Sequence, residues 1–292
     1  MKVLLVGAGG QVGQELEVLL AADSGVTLLA CDRTALDLTQ PQAIAERVQG
    51  FAPEVIINAA AYTAVDRAES EPDLAEAVNA LAPGYLAQAA TQVQAQLIHI
   101  STDYVFDGRQ STPYREDSPC HPLGVYGRTK RAGEKAVVAD CDRSVILRTA
   151  WVYGAKGKGN FAKTMLRLSQ EREQLRVVYD QVGTPTWAQD IGRAIVQLLP
   201  HLGPDTYGTY HFTNSGVTSW YDFAVDIAAM AADYGLPLAL QHIEPITTAE
   251  YPTPAQRPAY SVLGSEKLAA VLGHKPPHWR QSLRQMMAEL YS

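Results

Sequence analysis

Short apolar runs alternate with helix-length amphipathic segments from Val3 to about Thr149, and this rhythm predicts an α/β fold built on a doubly wound parallel sheet. Three observations carry it. Val3–Val6 is apolar on both faces and closes in glycines, as a strand buried inside a parallel sheet does. Those glycines open directly into a helical pattern. Similar runs then recur at Val26–Cys31, Val55–Ile57, Leu97–Ile100 and Val145–Leu147, each after a stretch long enough for a right-handed crossover.

The elements follow in order. Gln11–Ala22 reads as a helix, and Thr39-Gln-Pro41 opens the next, with Thr39 a cap and Pro41 tolerated in the first turn. Pro72–Gln92 is a longer helix and Gly127–Val138 another. After Trp151 the rhythm loosens into a flexible basic loop at 154–159. A helix at Phe161–Gln170, a sixth strand at Leu175–Val178, a helix at Ala188–Leu199 and a seventh strand at Tyr210–Thr213 come next. A helix at Trp220–Tyr234, a Pro-rich region from Pro245 to Pro258 and two short helices finish the chain. The expectation is a sheet of about seven strands in a domain over residues 1–213, with a smaller substrate-binding lobe over 214–292 to which 151–172 partly belongs.

Composition narrows the function classes. The chain has 292 residues, 47% of them hydrophobic, enough for an ordinary core. Its formal charge of −7 argues against nucleic-acid or anionic-membrane binding, both of which need a basic face. The three cysteines, Cys31, Cys120 and Cys141, form no CxxC pair and read as reduced thiols of a cytoplasmic protein. The first apolar run is too short for a signal peptide, and no apolar run approaches the ~20 residues of a membrane span.

The loop after the first strand carries Gly7, Gly9, Gly10 and Gly13, with Gln11 and Val12 between them. Dinucleotide-binding Rossmann folds use glycines here for a tight turn, for close approach of the pyrophosphate and for helix–strand packing, while the helix N-terminus supplies N–H donors. With a negative chain, such neutral donors matter more. Asp32 ends the second strand, where a carboxylate would meet the ribose hydroxyls, but Arg33 beside it could neutralise a 2′-phosphate. The pair leaves NADH and NADPH both open.

Tyr126 and Lys130 form a YxxxK pair on a predicted helix, so they share a face. A lysine ammonium beside the phenol favours the phenolate, which otherwise forms only near pH ~10. Ser101-Thr102 ends the fourth strand, at the edge of the sheet where open α/β folds bind ligands.

The GxxGxxG spacing, the YxxxK pair between the fourth and fifth strands and the hydroxyl residue before it resemble the extended short-chain dehydrogenases/reductases. The segments Asn58–Asp66, Ser101–Gly108, Tyr126–Glu134, Leu147–Gly154, Asp180–Thr186 and Arg257–Ser261 make the resemblance narrower, to the dTDP-4-dehydrorhamnose reductase family across nearly the whole chain. The resemblance implies hydride transfer from NADPH or NADH to C4 of a dTDP-4-keto sugar. It implies that Tyr126 protonates the C4 oxygen, that Lys130 binds the nicotinamide ribose and lowers the tyrosine pKa, and that Thr102 bonds the sugar oxygen. It implies Asp37 and Leu38 at the adenine, Ala59, Ala60, Ala61, Tyr62 and Thr63 along the cofactor, and Asp103 and Trp151 at the sugar. Dehydratases of the superfamily carry Thr-Asp-Glu where this chain has Thr102-Asp103-Tyr104, so the second acid needed to eliminate water is missing here.

Lys156, Lys158, Asn160 and Arg257 are the candidate donors for the substrate diphosphate, by charge and loop placement. No cluster with metal-ligand spacing is visible. His99 reads as a satisfied core histidine. Some members of the family are described as magnesium-linked dimers, yet Glu15 on the first helix gives no firm basis for a metal, and monomer and homodimer stay open. Two other readings remain: an extended reductase or epimerase for a different nucleotide sugar, or a non-catalytic NADP-binding subunit like that of methionine adenosyltransferase.

Overall fold

The computed structural model describes residues 1–291. Its longer strands are β1 (Lys2–Val6), β2 (Thr27–Cys31), β3 (Val55–Asn58), β4 (Gln96–Thr102), β5 (Ser144–Thr149), β6 (Gln174–Val178), β7 (Gly208–His211) and β8 (His242–Ile246). Six of them form one parallel sheet in the order β7-β5-β4-β3-β1-β2. Chain direction along the sheet reverses between β1 and β3, so a crevice opens at their carboxyl ends. There Ala59 N–H donates to Val6 O at 2.9 Å.

The main helices are α1 (Gln11–Ala21), α2 (Pro41–Phe51), α3 (Ala82–Gln92), α4 (Val125–Asp140), α5 (Phe161–Glu171), α6 (Ala188–Leu198), α7 (Trp220–Asp233), α8 (Glu266–Leu272) and α9 (Trp279–Tyr291). On one face of the sheet Leu16 and Leu20 of α1, Ile191 and Ile195 of α6 and Leu268 of α8 pack on Val3, Leu5 and Leu147. On the other, Ile44 of α2, Leu86 of α3 and Val137 of α4 pack on Leu4, Ile56 and Ile146. The inner strands are covered on both faces, which is why β1, β3 and the middle of β5 are apolar on both sides.

The expected sheet of about seven strands is corrected to six, because β6 leaves it. β6 pairs in parallel with β8 in a separate ribbon. The signal is in its pattern: Gln174-Leu-Arg-Val-Val178 alternates apolar and polar, and only Leu175 and Val177 are buried. A strand with one wet face does not belong in the middle of a sheet covered on both sides. β8 lay hidden in the Pro-rich stretch; Pro245 is tolerated there because β8 pairs only with β6. A third core joins Tyr153, Leu166, Leu175 and Trp187 to Phe223, Ile227, Leu283 and Met286, so residues of 153–187 pack with α7 and α9.

The long helix predicted over Pro72–Gln92 is interrupted by a π turn at Ala77–Leu81. Pro83 explains it: a proline nitrogen cannot donate to the carbonyl four residues back. That carbonyl, on Asn79, turns toward α4 instead. A Cβ on Gly133 would sit 2.0 Å from Asn79 O. Likewise a Cβ on Gly127 would sit 2.2 Å from Tyr104 O. Two glycines therefore let α4 seat directly on neighbouring backbone. Gly133→Ala is expected to cost about 1–3 kcal/mol through overpacking, read as a lower denaturant midpoint, and to cut turnover beyond the unfolded fraction because it displaces the helix that carries Tyr126.

Candidate active site

The glycine loop sits where the sheet crevice opens. Gly7 has φ +85° and touches the Ala59–Ala60 backbone so closely that a Cβ would lie 2.5 Å from Ala60 N. A Cβ on Gly13 would lie 2.1 Å from Gly7 O. These two glycines are demanded by packing, whereas around Gly9 a Cβ would meet only the Asp32 side chain, at 3.6 Å. Gly10 is the N-cap of α1 and no side chain caps that end. The first-turn N–H groups at Gln11 and Val12 thus face the crevice end of α1 with the dipole's positive pole.

Asp32 follows β2 and folds the turn on itself, its Oδ1 accepting from Thr34 N, Thr34 Oγ1 and Ala35 N at 2.7–2.9 Å. Those bonds hold its carboxyl below the ordinary range. Asp37 does the same for Thr39. Arg33 is exposed, while Leu38 is buried in the core beside Leu36. After β3, Ala60 N–H donates to Asn58 Oδ1, and Tyr62 is held by a two-way pair with buried Asn79: Tyr62 N to Asn79 Oδ1 at 2.8 Å and Asn79 Nδ2 to Tyr62 O at 3.0 Å. The Tyr62 phenol donates to Glu71. Ala61 lies between these anchors and Thr63 directly follows Tyr62.

Tyr126 and Lys130 lie on consecutive turns of α4, and Glu134 lies one turn further along the same buried face. The start of α4 is fixed by Glu69 Oε1, which accepts Val125 N–H at 2.7 Å. Deeper in, the Glu134 carboxylate accepts from Ser101 Oγ at 2.6 Å and from Arg148 Nε and Nη2, each at 2.8 Å. Thr102, at the end of β4, donates to Asp103 Oδ1 at 2.9 Å and accepts Tyr104 N–H at 3.2 Å, and its hydroxyl lies close enough to the Tyr126 phenol to favour the phenolate. The Tyr104 ring meets Tyr126 edge-on at 5.3 Å. The residues expected at the chemistry are therefore gathered at one place, the carboxyl end of β4.

Their electrostatics differ from the expectation in one respect. The phenol is not lowered but pushed up to about 12, chiefly by burial, against which the nearby Thr102 hydroxyl works and to which the Asp103 charge adds. Lys130 does not offset this. Its Nζ donates to Ile100 O at 2.7 Å and lies 3.4 Å from His99 Nε2, and burial lowers its pKa to about 8. Burial also raises Asp103 to about 6, and its Oδ2 is buried without a hydrogen bond of good geometry, though the Ser261 hydroxyl lies close enough to favour the charged form.

Trp151 is a non-glycine residue at φ +47°, a conformation that costs of order 1–3 kcal/mol. Its ring stacks on Trp220 at 3.5 Å with planes 5° apart, and it covers Gly183, where a Cβ would meet the ring at 2.5 Å. Of the candidate phosphate donors, Arg257 is engaged by Asp66 through two bonds of 3.1 and 2.7 Å. Lys156 pairs with Glu15 at 2.8 Å, and Asn160 caps α5 while bonding Gln11 at 2.8 Å. Both thus sit against α1, and Lys158 is exposed. Glu15 Oε2 is held by Lys156, and among the described residues no group of three or more His, Cys, Asp or Glu is placed to hold a metal. Asn79, Glu134 and Trp220 escaped the sequence reading because each acts through a contact distant in the chain, and His99, read as a core histidine, proves to face Asn58 and Lys130.

The RmlD substrate binding domain family matches residues 1–292. The chain belongs to that family. Over its full length it is 45% identical to a dTDP-4-dehydrorhamnose reductase of Burkholderia thailandensis, covering 100% of both chains. Among solved structures of the RmlD type, that of a dTDP-4-dehydrorhamnose reductase from Clostridium acetobutylicum superposes with a TM-score of 0.92 at 39% identity and 100% coverage of both chains. The dTDP-4-dehydrorhamnose reductase of Bacillus anthracis, solved in complex with NADP, gives 0.90 at 36% identity and 99% coverage of each. The RmlD fold thus accounts for the whole chain, glycine loop and YxxxK helix included.

Lys130 makes a checkable stability statement. Its pKa falls from 10.5 to about 8, so between those values the unfolded chain binds more protons and stability rises with pH. Below about 8 the full burial penalty applies. Lys130→Met is therefore expected to stabilise the protein by roughly 2 kcal/mol at pH 7, after the lost Ile100 hydrogen bond. The gain should shrink toward pH 10.5, as followed by thermal melts across that range.

Proposed function

We propose that this protein reduces the C4 keto group of dTDP-4-dehydro-L-rhamnose to dTDP-L-rhamnose, the last step of dTDP-rhamnose synthesis. The observation that carries the reading is the arrangement at β4: the Thr102 hydroxyl lies close to the buried Tyr126 phenol at the carboxyl edge of the sheet, and Tyr104, whose ring meets Tyr126, follows Asp103. The full-length likeness to reductases named for this substrate supports the choice of sugar nucleotide.

The reduced dinucleotide, NADPH or NADH, supplies a hydride to C4. The residues of the chain do the rest. Tyr126, a phenol of raised pKa, carries its proton at neutral pH and donates it to the C4 oxygen as negative charge develops there. Thr102 bonds the same oxygen and, as Tyr126 becomes phenolate, turns its hydroxyl toward it. Lys130 leaves the Ile100 carbonyl for the ribose and lowers the phenol's pKa by its charge. The phenolate then regains a proton from solvent, which closes the cycle. Asp103 and the Trp151–Trp220 stack bound the sugar in this reading, in the lobe that follows Asn214 together with part of 151–172. Lys156, Asn160 and Arg257 remain proposed for the diphosphate; Arg257 would keep Asp66 as it does so. The sugar nucleotide is the partner, and a cytoplasmic setting agrees with three free thiols.

Tyr126→Phe keeps the ring packing but removes the proton. Turnover of dTDP-4-dehydrorhamnose should fall by ~10²–10⁴-fold with NADPH affinity nearly unchanged. UDP- and GDP-4-keto sugars should be reduced far more slowly by the unmodified protein. Equal rates with those sugars would sink the substrate assignment, and unchanged turnover would remove Tyr126 from the chemistry.

A further inference from the structure

His99 is fully buried in β4 and is paired in register with Asn58 of β3. Its ring lies between the Asn58 amide, Nδ2 to Nδ1 at 3.0 Å, and Lys130 Nζ, 3.4 Å from Nε2. The proton positions follow from what each group can do. Ala60 N–H donates to Asn58 at 3.1 Å, and a backbone N–H can only donate, so the amide must turn its oxygen to Ala60. Its NH₂ then faces the imidazole. An amide NH₂ has no lone pair to offer, so His99 Nδ1 accepts. Burial together with the nearby lysine keeps the ring neutral, well below the ordinary histidine range. Its one proton is therefore on Nε2, aimed at Lys130.

An ammonium has three donors and no acceptor, so an N–H aimed at it finds no partner. A neutral amine accepts that N–H with its lone pair and still donates to Ile100 O. We propose that Asn58 and His99 are positioning residues for Lys130: they present a fixed N–H to its nitrogen, stabilise the neutral amine, and so tie the lysine's recruitment to the uptake of one proton. The proposal rests on the reading of Tyr126 and Lys130 as the reductase pair.

The other groups facing Lys130 are consistent with this. Burial acts in the same direction as the His99 N–H. The opposing charge is Glu134, one turn along α4, and its carboxylate is drawn away by Arg148 of β5, by Arg131 and by Ser101 of β4. Tyr126, on the preceding turn, is a neutral phenol. Asn79, from the π turn, meets Thr129 beside it and carries no charge.

The test begins with the imidazole ¹⁵N spectrum of the protein without ligand, the His99 signals being assigned by their loss in His99→Gln. The expected result is a neutral ring protonated on Nε2 that does not titrate between pH 5 and 9. A proton on Nδ1, or an imidazolium, overturns the proposal. Calorimetry of NADPH binding at pH 9 in buffers of different ionisation enthalpy gives the second reading. Uptake approaching one proton per site is expected, with none in Lys130→Met. Asn58→Asp turns an acceptor toward Nδ1, moves the ring proton there and lets Nε2 accept from the ammonium, so uptake at pH 9 should fall by at least half. Uptake unchanged in Asn58→Asp despite a moved ring proton also overturns it. If NADPH fails to bind, the reductase reading falls, and the imidazole spectrum still decides the tautomer.

Discussion

Glu134 and Arg148 meet at 2.8 Å with both side chains essentially removed from water, and the orientation of the site depends on that contact. A buried ion pair is an expensive way to hold a helix, since desolvation offsets most of the Coulomb gain. Losing one partner would leave an uncompensated charge at a cost of about 3–5 kcal/mol. What the pair contributes is direction. Glu134 lies on the same stripe of α4 as Tyr126 and Lys130, so gripping it from β5 and from Ser101 of β4 fixes the rotation of the helix about its axis. An apolar stripe could have held α4 as tightly while tolerating a slip. The glycines at 127 and 133 then fix its height over the neighbouring backbone.

The same economy governs the charges around the crevice. The chain is net negative, yet its proposed ligands carry phosphates. Two of the candidate phosphate donors are already committed, Lys156 to Glu15 and Arg257 to Asp66. Their fields at a phosphate are therefore those of ion pairs, weaker and more directional than free cations. That leaves the neutral donors at the start of α1, the exposed Arg33 and Lys158, and whichever N–H groups the two pairs leave free. The neutral donors discriminate by geometry, whereas a free cation attracts any anion.

How far the sequence is legible depends on whether the deciding interaction is local. The five strands of the first half were readable because a strand covered on both sides carries a run of apolar residues on both faces, a property each segment shows by itself. β6 was readable as a strand but not as a member of a different sheet, although its alternation recorded one wet face. The π turn was written in Pro83, but its meaning required knowing that Gly133 would approach Asn79 O. At the site, Tyr126, Lys130 and Thr102 were found by spacing and position, and they do converge. Their electrostatics were not, because spacing shows a lysine near a tyrosine and says nothing of the Ile100 carbonyl that accepts a hydrogen bond from the lysine. His99 is the plainest case: in the sequence it is a polar residue in an apolar strand, and only the register with Asn58 and the approach of α4 give its two nitrogens different tasks.

Trp151 shows where such non-local demands concentrate. It comes directly after Ala150, at the point where the chain leaves β5 and enters the core that residues 153–187 share with α7 and α9. A bulky residue in the left-handed region persists only where its surroundings specify it. Here they do: Trp220 stacks on one side of the indole, Gly183 lies against it without a side chain, and Thr186 N–H donates to Trp151 O at 3.1 Å. A glycine at this position would relieve the backbone and lose the ring. The strain is thus coupled to the placement of an aromatic surface at the seam between the central sheet and the second core, two residues past the strand that holds Arg148 and, through Glu134, the stripe of α4. Sheet, helix and aromatic wall are registered to one another by contacts made within a few residues of β5, and so a reacting sugar held against that wall would meet Tyr126 at a fixed height.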